Sequence, residues 1–214
     1  MNMNKGPFDK EPVVEEQLAK EQLAKEQLAK EQLAEQPDEM QHAEEQFEIL
    51  DEHGTPVGLA PRSRAHREGL WHRAVHVFVF RADGRLLIQR RHSRKDICPG
   101  AWDLSAAEHL KPGESYAEGA VRGLREEIGV EDNVVLEEIG GVSVARLDLP
   151  ERRVKDYEFQ QSFRCVYDGP VVADPGEVAE VRAISLGELR AAFAERPADF
   201  TPWFRDDAAR LGFV

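Results

Sequence analysis

Apolar residues between positions 47 and 214 recur in short runs that are typical of strands, separated by glycine and proline turns. The runs 74–80 and 86–90 flank an Asp83-Gly84 step, a common signal for a tight hairpin turn. A second hairpin is predicted from 47–51 and 57–59, around Gly54. Further strands are predicted near 102–107, 139–147, 156–167 and 180–185, and helices at 115–128, 187–194 and 201–211. Strands mixed with amphipathic helices predict an α/β sandwich with a mixed sheet.

The first 46 residues have a different character. From Glu16 to Ala34 the chain repeats the sequence Glu-Gln-Leu-Ala-Lys almost perfectly. Because a helix turns by about 100° per residue, leucines five residues apart spiral around it and form no apolar stripe. A coiled coil needs a shorter period. Residues 1–46 are therefore predicted to be a low-complexity acidic tail, helical and solvated or disordered, ahead of one domain at 47–214.

Candidate chemistry is concentrated at 114–130. Adjacent carboxylates, Glu126 and Glu127, lie near the end of the predicted helix, and Glu114 lies in the loop before it. Ser115 has the spacing of a capping box, and Gly129 suits the end of the helix. Because clustered carboxylates repel each other, a fold keeps them together mainly around a divalent cation.

This segment resembles the Nudix box, the signature of Mg-dependent hydrolases of diphosphate-linked compounds. Seven of the nine defined positions match: Glu114, Arg122, Leu124, Glu126, Glu127, Gly129 and Val130. Two differ, because Glu108 stands where the pattern has glycine and Gly123 where it has the first glutamate of the helix. The resemblance implies a Nudix-type α/β/α sandwich and a Mg²⁺ or Mn²⁺ cofactor. It leaves open which group activates water, because position 123 supplies that base in some members.

Four further segments resemble type I isopentenyl-diphosphate isomerases, which share the Nudix fold. They are 69–76, 89–102, 105–109 and 200–203. The resemblance implies that Arg91 and Lys95 hold a diphosphate and that Trp203 lies near the substrate. Arginine forks onto phosphate oxygens, and lysine adds a point charge. Read without the resemblance, the two cations form a solvated basic turn and Trp203 belongs to the core.

The same resemblance implies a second metal site. His72, His109 and Glu158 match metal ligands of the isomerases, Asp156 is a weaker fourth match, and His66 is offset from a ligand position by one residue. Imidazole and carboxylate ligands together suit Zn, Mn or Fe better than Mg alone. A structural or surface role for each histidine remains the alternative.

One departure bears on the reaction. The isomerases use a cysteine for proton transfer at the position of Ala107, and a methyl group transfers no proton. The leading hypothesis is therefore a metal-dependent Nudix hydrolase of a nucleoside diphosphate derivative or a similar small molecule, with Glu127, Glu126 and Glu158 as catalytic residues. Glu158 is the first candidate base and Glu108 the second. An isomerase-like enzyme and a non-catalytic phosphate-ligand binder are the alternatives.

Charge and composition narrow the remaining classes. The net charge of −13 opposes non-specific binding to nucleic acid or to an anionic membrane. The two cysteines, Cys98 and Cys165, lack metal-motif spacing, and no signal peptide or membrane-spanning run is evident. We expect a cytoplasmic protein with a small-molecule diphosphate substrate. The oligomeric state is not predicted.

Overall fold

The structure is a computed structural model that describes residues 44–130 and 134–214. The repeats at 16–34, and nearly all of the predicted tail, lie outside the described residues. The strands are β1 Gln46–Leu50, β2 Pro56–Pro61, β3 His72–Phe80, β4 Leu86–Arg91, β5 Trp102–Asp103, β6 Ala106–His109, β7 Glu137–Leu149, β8 Val154–Val166 and β9 Val178–Ile184. The helices are α1 Arg62–Glu68, α2 Tyr116–Ile128, α3 Leu186–Glu195 and α4 Pro202–Arg210, with short 3₁₀ turns at Pro150–Arg152 and Pro197–Asp199.

Seven strands form a mixed sheet, and β1 and β2 form a separate antiparallel hairpin. The main path through the sheet is β5-β4-β3-β8-β7, with β6 added to β3 and β9 to β4. The β3–β8 pair is parallel, and the other pairs are antiparallel. Because the parallel pair is central, β3 reads as a nearly continuous apolar run rather than a strict alternation.

Helices cover both faces of the sheet. Alternate β3 residues Val75, Val77 and Val79 pack in one core with Leu124 and Ile128 of α2. On the other face, Phe78 packs in a second core with residues of α3 and α4, Leu189 and Phe204. The predicted sandwich with a mixed sheet is confirmed. Among the described residues, none of the helices combines the length and apolar character needed to cross a membrane.

Local sequence determines both ends of α2. The Ser115 hydroxyl accepts a hydrogen bond from the Glu118 amide, and the Glu118 carboxylate accepts one from the Ser115 amide at 2.8 Å. This is the predicted capping box. At the other end Gly129 has a φ of 65°, a left-handed conformation that glycine adopts without steric cost. The helix that carries Glu126 and Glu127 is thus held at both ends.

We expect Ser115→Ala to lower the free energy of unfolding by about 1 kcal/mol, because it leaves the first-turn amide without its acceptor. Ser185 begins α3 with the same capping box, so Ser185→Ala is a matched control with an equal expected loss. Urea denaturation of both variants measures the effect. A Ser115→Ala protein as stable as the wild type would contradict this account of how α2 begins.

Two elements differ from the sequence-based prediction. The single strand predicted near 102–107 is divided into β5 and β6. Ser105, between them, accepts a hydrogen bond from the Val79 amide at 2.8 Å and donates one to the Leu87 carbonyl at 2.5 Å. Its hydroxyl therefore bridges neighbouring strands where a continuous ladder would otherwise run. Helix α1 was not predicted, and it buries only Ala65 and His66.

Candidate active site and metal centre

A cavity of about 590 Å³ brings most of the predicted site residues together. From the predicted set, its walls include Arg91, Lys95, His109, Glu126, Glu127, Glu158 and Trp203. They also include the second candidate base, Glu108, and Ala107, which replaces the isomerase cysteine. Acidic and basic groups predicted from distant segments thus line one space. Glu114 and His72 are outside this lining.

Glu127 is the most deeply buried carboxylate of the helix, at 4% exposure. It accepts a hydrogen bond from the Ala107 amide at 2.9 Å and a very short one from the Gln89 side-chain amide. Burial, and next the nearby charge of Glu108, raises the pKa of Glu127 to about 8. An uncompensated negative charge is unfavourable here, and a cation would relieve that cost.

Arg122 organises the neighbouring acids. Its guanidinium donates to Glu114 through Nε and Nη2, both at 2.9 Å, and to Glu108 at 2.7 Å and Glu126 at 3.2 Å through Nη1. Glu114 also accepts from the Lys111 amide at 2.8 Å. Burial opposes the ionisation of Glu114, but these hydrogen bonds prevail and lower its pKa. Glu114 therefore ties the loop to the helix in this structure, and its role as a metal ligand stays a prediction.

Asp103 positions Arg91 and Trp203 at the cavity. Arg91 donates to Asp103 Oδ2 at 3.1 Å, and the Trp203 indole donates to Asp103 Oδ1 at 2.8 Å. The Arg91 guanidinium also lies over the Trp203 ring, 5.3 Å from its centroid. Lys95 is ion-paired with Glu177. Arg91 and Trp203 are thus held together by Asp103, and Lys95 has a carboxylate partner of its own; phosphate binding by Arg91 and Lys95 stays a prediction.

His109 and Asp156, which line this cavity, converge with His66 and His72, with one ligand atom each and all four atoms within 4.8 Å of one another. Asp156 Oδ1 lies 3.2 Å from His72 Nε2 and 3.4 Å from His66 Nε2. These three atoms are buried without a hydrogen-bond partner. Buried polar atoms are rarely left unpaired, so these residues fit the binding of a cation.

The hydrogen-bond partners and pKa shifts of the three histidines agree only in part with a metal site. His72 Nδ1 lies 2.9 Å from the Leu70 carbonyl and is therefore the donor there, while Nε2 faces Asp156. Burial opposes protonation of this ring, but the carboxylates of Asp156 and Glu158 prevail and raise its pKa, so a cation would compete with a proton at Nε2. Burial lowers the pKa of His66 to about 4, which keeps that ring neutral as a ligand must be. His109 differs, because Arg62 donates to its Nδ1 at 2.9 Å while its Nε2 faces Glu158 at 3.1 Å. His109 belongs to the cluster by distance and contacts Glu158 in this state.

His66 enters the cluster despite its offset in the sequence. Helix α1 carries it inward and ends at Gly69, whose φ of 71° turns the chain back towards β3. The structure therefore brings together His66, His72, His109 and Asp156, and it places Glu158 at the edge against His109. Whether any of them binds metal stays a prediction.

One polar pair at the cavity was missed by the sequence analysis. His76 lines the cavity, and its Nδ1 lies 2.8 Å from Asp207 of α4. Asp207 also accepts from Ser162 at 2.9 Å and from Arg210 at 2.8 Å. His76 pairs across the strands with Ala107. The available signal was that His72 and His76 share one face of β3, but the partner is remote in sequence.

Comparison with known proteins identifies the family to which this fold belongs. Residues 70–204 match the NUDIX domain family model. The chain is 36% identical over 160 residues to isopentenyl-diphosphate Delta-isomerase of Nocardia farcinica, covering 74% of this chain and 90% of that protein. It is 36% identical over 167 residues to the enzyme of the same name from Streptomyces avermitilis, covering 77% of this chain and 83% of that protein.

Solved structures agree with the fold. The crystal structure of DR0079 from Deinococcus radiodurans is similar with a TM-score of 0.58 and 25% identity, covering 71% of this chain and 90% of that chain. MutT protein from Methanosarcina mazei Go1 gives a TM-score of 0.53 at 22% identity, covering 66% and 93%, which supports the fold alone. Together with the family match, these similarities support an enzyme of the Nudix fold. The chain belongs to the NUDIX domain family, as the sequence pattern of the segment that forms helix α2 predicted.

Proposed function

We propose that this enzyme is a divalent-metal-dependent hydrolase that cleaves a diphosphate linkage in a nucleoside diphosphate derivative or a similar small molecule. The observation that carries the proposal is the single cavity that is lined both by Glu126 and Glu127 and by Arg91 and Lys95. Carboxylates that hold a cation and cations that hold phosphate are the two parts that phosphoryl chemistry requires.

Each group has a role in this reaction. Glu126 and Glu127 would hold Mg²⁺ or Mn²⁺, which when bound offsets charge on the phosphoryl oxygens. Arg91 and Lys95 would bind the terminal oxygens of the substrate. Water attacks phosphorus, the bond between phosphorus and the bridging oxygen breaks, and the bridging oxygen leaves with its electron pair. The proton released by water passes to a carboxylate, with Glu158 as the first candidate and Glu108 as the second, since both line the cavity.

A panel of nucleoside diphosphate derivatives and other diphosphate compounds tests the proposal. We expect phosphate or nucleotide release that depends on Mg²⁺ or Mn²⁺. A folded, metal-loaded protein that turns over none of the compounds would count against hydrolysis. Tight binding of one compound without product would instead favour the non-catalytic binder.

The similarity to isopentenyl-diphosphate isomerases supports a second candidate function. Ala107 argues against it, because the backbone amide of this residue holds Glu127 while its side chain is only a methyl group. Deuterium incorporation from D₂O into isopentenyl diphosphate distinguishes the two reactions. We expect none from the wild type, and incorporation at a rate comparable to hydrolysis would reject the leading proposal. Ala107→Cys is the companion variant, since it restores a proton-transfer group at that position.

We expect Arg91→Lys to raise KM for the diphosphate substrate by about tenfold, with a smaller change in kcat. Lysine lacks the planar fork and loses the contact with Trp203, so phosphate binding weakens more than the chemical step. Arg90→Lys is the matched control, because the exposed Arg90 is the next residue along β4 and donates to the Gly100 carbonyl instead. Steady-state kinetics of both variants give the comparison. An unchanged KM in Arg91→Lys would remove Arg91 from the phosphate site.

A further inference from the structure

Glu108 and Gly123 occupy one volume between β6 and α2. A Cβ atom added to Gly123 would lie 2.6 Å from Glu108 Cγ, closer than real Cβ contacts come. Ala106 would be the next side chain outward, at 3.8 Å. The Glu108 side chain therefore fills the space into which a residue at position 123 would project. No side chain at position 123 can coexist with Glu108 in its present conformation.

These are the two positions at which the chain departs from the Nudix box. The strand has gained a carboxylate where the pattern has glycine, and the helix has lost one where the pattern has glutamate. Because the two positions are in contact, the departures compensate each other in volume and in charge. The two departures are therefore one change, in which a carboxylate on the strand replaces a carboxylate on the helix.

The Glu108 carboxylate lies among the acids of the helix. It lines the cavity, with its side chain 20% exposed, and it shares the Nη1 atom of Arg122 with Glu126. Arg122 pairs with three carboxylates, those of Glu108, Glu114 and Glu126, so its single positive charge compensates only part of their negative charge and the remainder favours a cation.

We propose that Glu108 is a ligand of the divalent cation held by Glu126 and Glu127, supplying from β6 the carboxylate that α2 lacks at Gly123. The cation site is thereby built from both β6 and α2, and its third carboxylate comes from the strand instead of the helix. This inference rests on the proposed function, since it concerns the same cation.

Mn²⁺ titration of the full-length protein, followed by electron paramagnetic resonance, tests the assignment without measuring turnover. Glu127→Gln defines the helix site as the Mn²⁺ equivalent that this variant loses. We expect Glu108→Gln, which keeps the side-chain volume and an acceptor for Arg122, to weaken that equivalent by about tenfold or more. Glu138→Gln, an exposed acid of β7, is the matched control and should bind as the wild type does.

A reciprocal pair of variants separates ligation from packing. Gly123→Glu alone should unfold at a lower temperature, because its Cβ meets Glu108 Cγ. Glu108→Gly alone should lose Mn²⁺ affinity. The double variant Glu108→Gly/Gly123→Glu should recover both stability and affinity, since the carboxylate returns to the helix and the strand vacates the space.

The outcomes distinguish this inference from the proposed function. If Glu127→Gln loses an Mn²⁺ equivalent while Glu108→Gln binds within twofold of the wild type, only the role of Glu108 fails. A double variant that binds no more tightly than Glu108→Gly also overturns the exchange. If Glu127→Gln loses no Mn²⁺, the helix does not hold a cation, and the proposed function and this inference both fall.

Discussion

Replacing Glu127 by glutamine is expected to reduce metal-dependent turnover by about a hundredfold or more while making the metal-free protein more stable at alkaline pH. The two effects have one cause. The Glu127 carboxylate is buried beside the charge of Glu108, so its negative charge is costly until a cation binds it. Glutamine removes that charge and preserves the acceptor for the Ala107 amide. The Gln89 amide can turn over to present its oxygen to the new side chain.

The pH dependence has a definite sign. Burial, followed by the charge of Glu108, raises the pKa of Glu127 from 4.5 to about 8 in the folded protein. A raised pKa means that the folded state keeps its proton over a range in which the unfolded chain has lost it. The free energy of unfolding of the metal-free wild type should therefore fall between pH 5 and pH 8, by at most about 1.4 kcal/mol per pH unit from this group.

Urea denaturation in a chelator at pH 6 and pH 8.5 measures this difference. The wild type should lose stability between the two values, and Glu127→Gln should lose less. Glu138→Gln, on the exposed surface of β7, should follow the wild type in both stability and turnover. A Glu127→Gln protein that is less stable than the wild type at pH 8.5 would show that the ionised carboxylate does not destabilise the folded state. Full activity in that variant would remove Glu127 from the mechanism.

The features that could be predicted from sequence are those encoded within a few residues. The capping box at Ser115 and the glycine at position 129 are both local signals, and they bound α2 correctly. The Asp83-Gly84 turn lies between β3 and β4 as predicted. The division of the 102–107 segment was not predictable in this way, because it depends on hydrogen bonds from Ser105 to two other strands.

The candidate site, too, was only partly predictable from the sequence. Individual residues could be named by resemblance, but the contacts that orient them join remote parts of the chain. Asp103 positions Arg91 and also Trp203, which is separated from it by 100 residues. His76 meets Asp207 across 131 residues. Such partners become adjacent only when the sheet and α4 have packed, so no local pattern announces them.

Three residues show what a position-by-position comparison with the family pattern misses. His66 is displaced by one position in the sequence, yet helix α1 carries its imidazole into the histidine cluster. Glu108 and Gly123 each count as a loss when the pattern is read position by position. In the folded chain they are in contact, and the space that one vacates is filled by the other.

Asp156→Asn is expected to abolish most of the thermal stabilisation that a transition metal gives this protein. If Zn²⁺ or Mn²⁺ fills the cluster at a thousandfold excess over its Kd, binding contributes about 4 kcal/mol, which corresponds to roughly 10 °C in Tm for a domain of this size. The physical reason is that Asp156 Oδ1, His66 Nε2 and His72 Nε2 are buried without hydrogen-bond partners, and a cation would satisfy all three. Loss of the carboxylate removes the only anionic atom among the three.

The readout is the change in Tm between chelated and metal-loaded protein, which separates the metal from any effect of the substitution on the bare fold. Asp148→Asn, an exposed residue of β7, should keep the full increment. Glu127→Gln should lose only the share that the helix cation contributes and keep the larger remainder, because the histidine cluster and the helix carboxylates are separate groups of ligands. An Asp156→Asn protein with an undiminished increment would place the stabilising metal elsewhere. Loss of the increment in Glu127→Gln alone would mean that the helix carboxylates hold the stabilising ion and that the histidine cluster owes its unpaired atoms to packing.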